Sequence, residues 1–185
     1  MSGAGRPRDA AVDAAILKAA WRLLRDEGYA RLSIAGVADA AKVGRPAIYR
    51  RYRGKSDLVA AVIASRVSAA PPVDTGTARD DLVAHLETVR KRFPVGLAGT
   101  LMAKEHPKLL AQLRREMVAP PRDAIAEALR RGQERGDVRA GLDTHIAAEA
   151  LMGSLVFACL AAGRPGPEWS QAVVDALWPG FAGRA

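Results

Sequence analysis

A chain of 185 residues is long enough for one large domain or two small ones with a real hydrophobic core. One cysteine, Cys159, excludes an internal disulfide and a cysteine-rich metal site. The net charge is +8, and residues 1–68 hold 13 Lys/Arg against 6 Asp/Glu, so nearly all the excess positive charge lies in the first third, the footprint of a polyanion partner.

No strand-like alternation occurs and the apolar spacing is helical nearly everywhere, which predicts an all-α chain of about nine helices. Val12, Ile16, Leu17, Ala20, Leu23 and Leu24 form one stripe, closed by Gly28 as a C′ residue. Ser33 is an N-cap for a second helix with the inner face Ile34, Val37, Ala38 and Ala41. A turn at Lys42–Gly44 leads to a helix of about eight residues from Arg45, with Pro46 in its first turn and Gly54 as its breaker. Ser56 caps a fourth helix bearing Leu58, Ala61, Val62 and Ser65 on one side. Two prolines and a glycine in AAPPVDTG, residues 69–76, end the helical pattern and divide the chain into domains 1–68 and 77–185.

In the second part, Leu82, Val83, Leu86, Val89 and Phe93 define a helix, and Pro94 starts a short one with Leu97, Ala98, Leu101 and Met102. Pro107 opens another with Leu109, Leu110, Leu113 and Met117, which Pro120 and Pro121 are expected to kink or split before Ile125 and Leu129. Gly136 ends that run. Asp143 caps THIAAEALMGSLVFACLAA, which is almost free of charge after Glu149 and reads as buried on more than one side. No apolar run in the chain approaches the ~20 residues a membrane span needs, so no membrane partner is expected. After GRPGP, a final helix carries Trp169, Ala172, Val173, Ala176 and Leu177 in register. Two terminal helices this apolar point to a twofold dimer, with Leu151, Leu155, Trp169, Val173 and Leu177 at the interface.

The stretch KVGRPAIYRRYRGK, Lys42 to Lys55, carries six positive charges and no acid, interleaved with Tyr49 and Tyr52. The short amphipathic SIAGVADAA precedes it, so a small helix, a tight turn and a basic, aromatic second helix form a reader of DNA. Residues 33–58, SIAGVADAAKVGRPAIYRRYRGKSDL, resemble the helix-turn-helix of the TetR (tetracycline-repressor-like) transcriptional regulators. The match extends back through AILKAAWRLLRDEGYARL, so residues 12 to 63 carry it. The resemblance implies a three-helix DNA-binding domain followed by a larger helical ligand-binding and dimerisation domain. It also implies a cytoplasmic homodimeric repressor on a palindromic double-stranded operator, released by a small-molecule inducer.

Ser33 then points the N-terminus of its helix at a phosphate. Ile48 and Tyr52, at i and i+4, face inward onto Ile34 and Val37, leaving Arg45, Pro46, Ala47, Tyr49 and Arg50 toward the major groove. In the family the positions of Tyr49 and Lys55 touch the DNA backbone, and that of Arg45 commonly reads base edges. Gly44 and Lys42 complete the expected DNA-binding set. Lys42 departs from the family, which has glycine there; either lysine adopts the left-handed conformation or the turn is shaped differently. Arg6 and Arg8 form either an arm along the duplex or a plain tail.

Leu97, Leu101, Met102, Leu113, Met117, Ile125, Met152, Leu155 and Phe157 fall on apolar faces, either as ordinary core or as the lining of a pocket for a small apolar or amphipathic effector. The alternatives are a constitutive regulator without an effector, a helical enzyme or a ligand carrier. His85, His106 and His145 lack metal-ligand spacing and no nucleophile–base pair stands out, so neither a cofactor, a metal nor enzymatic activity is expected. Asp80–Asp81 read as a helix start, and Cys159 as a buried, inert thiol. The N-terminal MSGAGRPRDAA has no apolar segment of a secretory signal, in keeping with a cytoplasmic protein.

Overall fold

The computed structural model describes residues 10–65, 73–95 and 107–183. In chain order the helices are α1 (Ala10–Arg31), α2 (Ile34–Ala41), α3 (Arg45–Tyr49), α4 (Lys55–Ala64), α5 (Ala78–Arg92), α6 (Pro107–Leu113), α7 (Ala119–Arg135), α8 (Thr144–Ala162) and α9 (Trp169–Phe181). A π-helical turn, Arg114–Val118, joins α6 to α7 without a break. The only pairing of extended backbone among the described residues is one bridge, Val138 to Ala182. The short helix expected from Pro94 falls largely on residues 96–106, outside the described residues, as do Leu97, Leu101, Met102 and His106.

The apolar stripes assemble as their spacing predicts. Ile16, Ala20 and Leu24 of α1 meet Val37 and Ala38 of α2, Ile48 of α3 and Leu58, Val59, Val62 and Ile63 of α4. Burying each Leu or Ile in this way contributes about 1.5–3 kcal/mol. Leu109 and Leu113 of α6 belong to the same cluster, and Gln112 donates to the Ala60 carbonyl at 2.9 Å. A helix from the C-terminal half is therefore built into the N-terminal core. A second cluster joins Leu82 and Leu86 of α5, Ile125 and Leu129 of α7, Leu151 and Met152 of α8 and Val174 of α9. Phe93, Leu155 and Cys159 form a third. Cys159 is buried, and burial pushes its thiol pKa up.

The helical run that carries Pro120 and Pro121 changes character just before them, at the π-helical turn Arg114–Val118. Both rings lie in the first turn of α7, and the ladder accommodates them one turn earlier. Proline has no N–H to give and its ring crowds the carbonyl four residues back. The hydrogen bonds upstream widen accordingly, with the Ala119 N–H reaching the Arg114 carbonyl, five residues away. Gly136, at φ 86°, ends α7 as expected.

Asp81 lies in the first turn of α5, as predicted for a helix start, but it is buried rather than on the surface. It accepts from the Thr75 N–H at 2.6 Å and the Thr75 hydroxyl at 2.8 Å, and pairs with Arg131 at 3.4 Å and Arg135 at 3.6 Å. Burial raises the cost of its charge, yet these donors outweigh it and hold its pKa below the ordinary carboxylate value. The network ties the segment entering α5 to α7. At the other end of α5, Arg164 donates to the Phe93 carbonyl at 2.8 Å and to that of Arg90, while Arg90 donates to the Pro165 carbonyl at 2.9 Å. The loop between α8 and α9 is thereby fastened to the α5 C-terminus, where carbonyls favour cations.

Helix α8 corrects two expectations. It is 19 residues of apolar composition, long and apolar enough to cross a membrane by those criteria alone, yet its Leu151 row packs against α5, α7 and α9. Its burial is also one-sided: Leu151 and Leu155 are fully buried inside the protomer, while Ile146 is 64% exposed and Phe157 72%. Leu151 and Leu155, expected at an interface, thus point into the chain's own core. Trp169, Val173 and Leu177 are half-buried and pack on the C-terminal core.

Candidate nucleic-acid interface

Ser33 adopts extended backbone and its hydroxyl accepts from the Gly36 N–H at 3.0 Å, capping α2. The C-terminus of α2 is closed by Lys42 at φ 55°, ψ 45°, whose N–H reaches the Ala38 and Asp39 carbonyls. Of the two alternatives at Lys42, lysine takes the left-handed conformation and the turn keeps the shape a glycine would give it. It is the single non-glycine with positive φ among the described residues. Gly44 caps α3 from extended backbone at φ −70°, and Pro46 follows inside the first turn.

Helix α3 is shorter than the eight residues expected. It ends at Tyr49 because the N–H groups of Arg51 and Tyr52 both turn back onto the Ile48 carbonyl, at 2.9 Å each. Ile48 is fully buried and Tyr52 packs partly against the same core, alongside Ile34 and Val37. The opposite side carries Arg45, Pro46, Tyr49 and Arg50, all exposed, with Ala47 half-buried; Tyr49 is 58% exposed. Lys42, Arg45 and Arg50 make no side-chain hydrogen bond or ion pair among the described residues. The short helix and the turns on either side of it thus present three cations and a phenol to solvent, anchored by the fully buried Ile48.

The start of α4 is built differently from the sequence reading. Gly54, not Ser56, is the N-cap, and the Asp57 carboxylate reaches back to accept from the Arg53 N–H at 2.9 Å. Ser56 instead shares a 2.8 Å hydrogen bond with the Tyr29 hydroxyl. Lys55 lies over the Tyr29 ring, 4.3 Å from its centroid, and donates to the Ala30 carbonyl at 3.1 Å. Partial burial pushes its pKa down. The Gly28 kink, at φ 82°, turns the end of α1 so that Tyr29 and Ala30 meet Lys55 and Ser56. The basic run also contains Arg51, whose guanidinium pairs with Asp13 on α1 and donates to the Ala47 carbonyl at 3.0 Å. Residue spacing gives no sign of these partners, because Asp13 and Tyr29 approach only when α1 folds across α3 and α4.

The expected effector residues that the structure describes are spread over its separate apolar clusters. Leu113 and Met117 pack on the N-terminal core, Ile125 and Met152 on the C-terminal core, Leu155 with Phe93 and Cys159, and Phe157 faces solvent. The physical reason is that α6 turns its apolar row onto α4. Two open cavities of about 530 and 800 Å³ lie instead where the end of α7 meets the end of α9, lined by residues such as Arg79, Asp137 and Trp178 or Gln133, Arg139 and Gly180.

Residues 16–62 match the model of the bacterial regulatory proteins of the tetR family, and residues 72–177 that of the tetracyclin repressor-like C-terminal domain. The chain is 28% identical over 166 residues to YdeS, an HTH-type transcriptional regulator of Bacillus subtilis, covering 86% of this chain and 83% of that one. It is 32% identical over 149 residues to the DNA-binding transcriptional repressor TetR of Mycobacteroides abscessus, covering 75% and 78%. Its fold is similar to that of the Bacillus subtilis regulator FadR in complex with stearoyl-CoA, with TM-score 0.70 and 16% identity over 90% of this chain and 97% of that one. With the exposed basic face of α3 and a helix-turn-helix closed by Lys42, these matches establish that the chain belongs to the TetR family of DNA-binding transcriptional regulators.

Proposed function

We propose that the chain is a cytoplasmic homodimer that uses α3 to read a palindromic operator, with Arg45 on base edges and Ser33, Lys42, Tyr49, Arg50 and Lys55 toward the backbone. The observation that carries this reading is the division of α3 into a buried Ile48 and an exposed Arg45, Tyr49 and Arg50. An arginine on a guanine contributes about 1–3 kcal/mol of discrimination, whereas a phosphate contact is indifferent to sequence. Lys55 acts at once as a phosphate partner and as the tie between α4 and the Ala30 carbonyl, since its ammonium has three donors. Binding of Arg45→Ala and Tyr49→Ala to the selected operator and to point-mutated operators tests the assignment. Arg45→Ala relaxes preference at one base pair of each half-site, and Tyr49→Ala weakens all duplexes alike; equal losses on every duplex from both refute it.

The dimer face is assigned to the exposed row Ile146, Ala150, Gly153 and Phe157 of α8, which follows helical spacing on the side opposite Leu151 and Leu155. An apolar or amphipathic effector fits the same scheme, in keeping with the stearoyl-CoA bound by FadR. The continuous run from α6 through the π turn to α7 joins Leu113 in the N-terminal core to Ile125 in the C-terminal core. A ligand that prefers one placement of that run shifts the half-site spacing by its differential affinity for the two states.

A further inference from the structure

We propose that Arg51, although it belongs to the basic run, does not face DNA and is instead the positioning residue that sets the recognition helix against α1. Its Nε donates to the Asp13 carboxylate, and its Nη1 donates to the Ala47 carbonyl at 3.0 Å, so one planar fork joins α1 to α3. The Arg51 side chain is 12% exposed, and that of Asp13 31%, so the pair sits in the seam and not on the outer face. Helix α3 needs such a tie. It has five residues, too few to hold itself, and Ile48 is its one fully buried side chain. A single apolar anchor leaves the helix free to roll about it, and rolling swings Arg45 and Tyr49 across the groove. The fork is a second fixed point, and it removes that freedom. Arg50 and Arg51 are adjacent in sequence yet have different tasks, one exposed and without a partner among the described residues, the other held by Asp13.

The proposal rests on α3 being the base-reading helix, and the test separates the two. Asp13→Asn, Arg51→Gln and their combination are compared with wild type on the duplex the protein selects from a random-sequence library and on a scrambled duplex, across salt concentrations. Circular dichroism confirms that each variant is folded. The expected loss on the selected duplex is about 5- to 30-fold for either single variant, the range for coupled side chains, and the double variant is no worse than the weaker single. The scrambled duplex is bound as before and the salt slope stays unchanged. The sign for Asp13→Asn is diagnostic: it removes a negative charge near DNA, so an Arg51 that contacted phosphate would bind tighter once released. Tighter or unchanged binding by Asp13→Asn overturns the proposal, as does a salt slope lowered by about 0.9 in Arg51→Gln. If Asp13→Asn does not fold, Arg51→Lys carries the test, since lysine keeps the charge but cannot form the fork. Loss of preference then supports the proposal and wild-type preference overturns it. A wild-type protein that does not distinguish the two duplexes overturns both this inference and the reading of α3.

Discussion

Replacing Lys42 with glycine and with alanine should move stability and DNA binding in different directions. Lys42 sits at φ 55°, ψ 45°, where a side chain crowds the following carbonyl at a cost of about 1–2 kcal/mol. Glycine removes that crowding but costs about 0.5–1 kcal/mol through the greater freedom of the unfolded chain. The backbone bonds from residue 42 to Ala38 and Asp39 are unaffected by either change. Lys42→Gly is therefore expected to stabilise the protein by about 0.5–1 kcal/mol, a rise in Tm of about 1–4 °C for a chain of this size. Lys42→Ala keeps the Cβ, and with it the crowding, so its Tm stays close to wild type. Thermal unfolding at one fixed protein concentration reads the difference, since the Tm of a dimer depends on concentration. On DNA the two variants behave alike, because both lose the exposed ammonium and its counter-ion release, lowering the salt slope by about 0.9 each. A glycine variant no more stable than the alanine variant refutes the strain argument. A salt slope unchanged in both refutes the placement of Lys42 beside a phosphate.

Other outcomes follow from particular contacts. Gly132→Ala should destabilise by about 1–2 kcal/mol despite alanine's better helix propensity, because the new Cβ would stand 2.5 Å from that of Ala78 and 2.7 Å from Val138 Cγ2; chemical denaturation with an unchanged m-value reads it. Phe157→Glu should give folded monomers in sedimentation, whereas Leu155→Ala should remain dimeric but lose about 2–5 kcal/mol of stability, as its side chain is fully buried. Glu87, hydrogen-bonded by Arg90 at 2.7 Å, has its pKa lowered from 4.5 to about 2. A depressed carboxylate stabilises above its unfolded pKa and loses that effect as pH falls through the folded one. Glu87→Gln should thus be less stable than wild type at neutral pH, with the gap closing between about pH 4.5 and pH 2.

Much of the N-terminal half is written locally. The cap at Ser33 and the inward pair Ile48 and Tyr52 each depend on residues within four positions, so spacing and residue type suffice, whereas lysine at position 42 leaves two turn shapes open and the backbone decides for the left-handed one. Errors arose where a distant group competes. Ser56 has the chemistry of a cap, but Tyr29, 27 residues earlier, takes its hydroxyl. Asp81 reads only as a helix start until Arg131, 50 residues later, and the Thr75 turn enclose it. Arg51 looks like its neighbours in the basic run until Asp13 claims it. Helix α8 shows a different limit. A helix apolar all round carries no phase, so its sequence cannot tell the core row of Leu151 and Leu155 from the outer row of Ile146 and Phe157. Packing against α5, α7 and α9 decides between them.

The central claim is that two α3 helices of a dimer read one duplex, and hydroxyl-radical footprinting on the selected duplex tests it most directly. The expected pattern is two symmetric protected tracts on one face of the DNA, their centres about one helical turn apart, roughly 34–36 Å or somewhat more. Phe157→Glu should abolish the paired pattern at protein concentrations where wild type gives it. A single tract, protection indifferent to sequence, or a paired footprint kept by a monomeric variant would contradict the account.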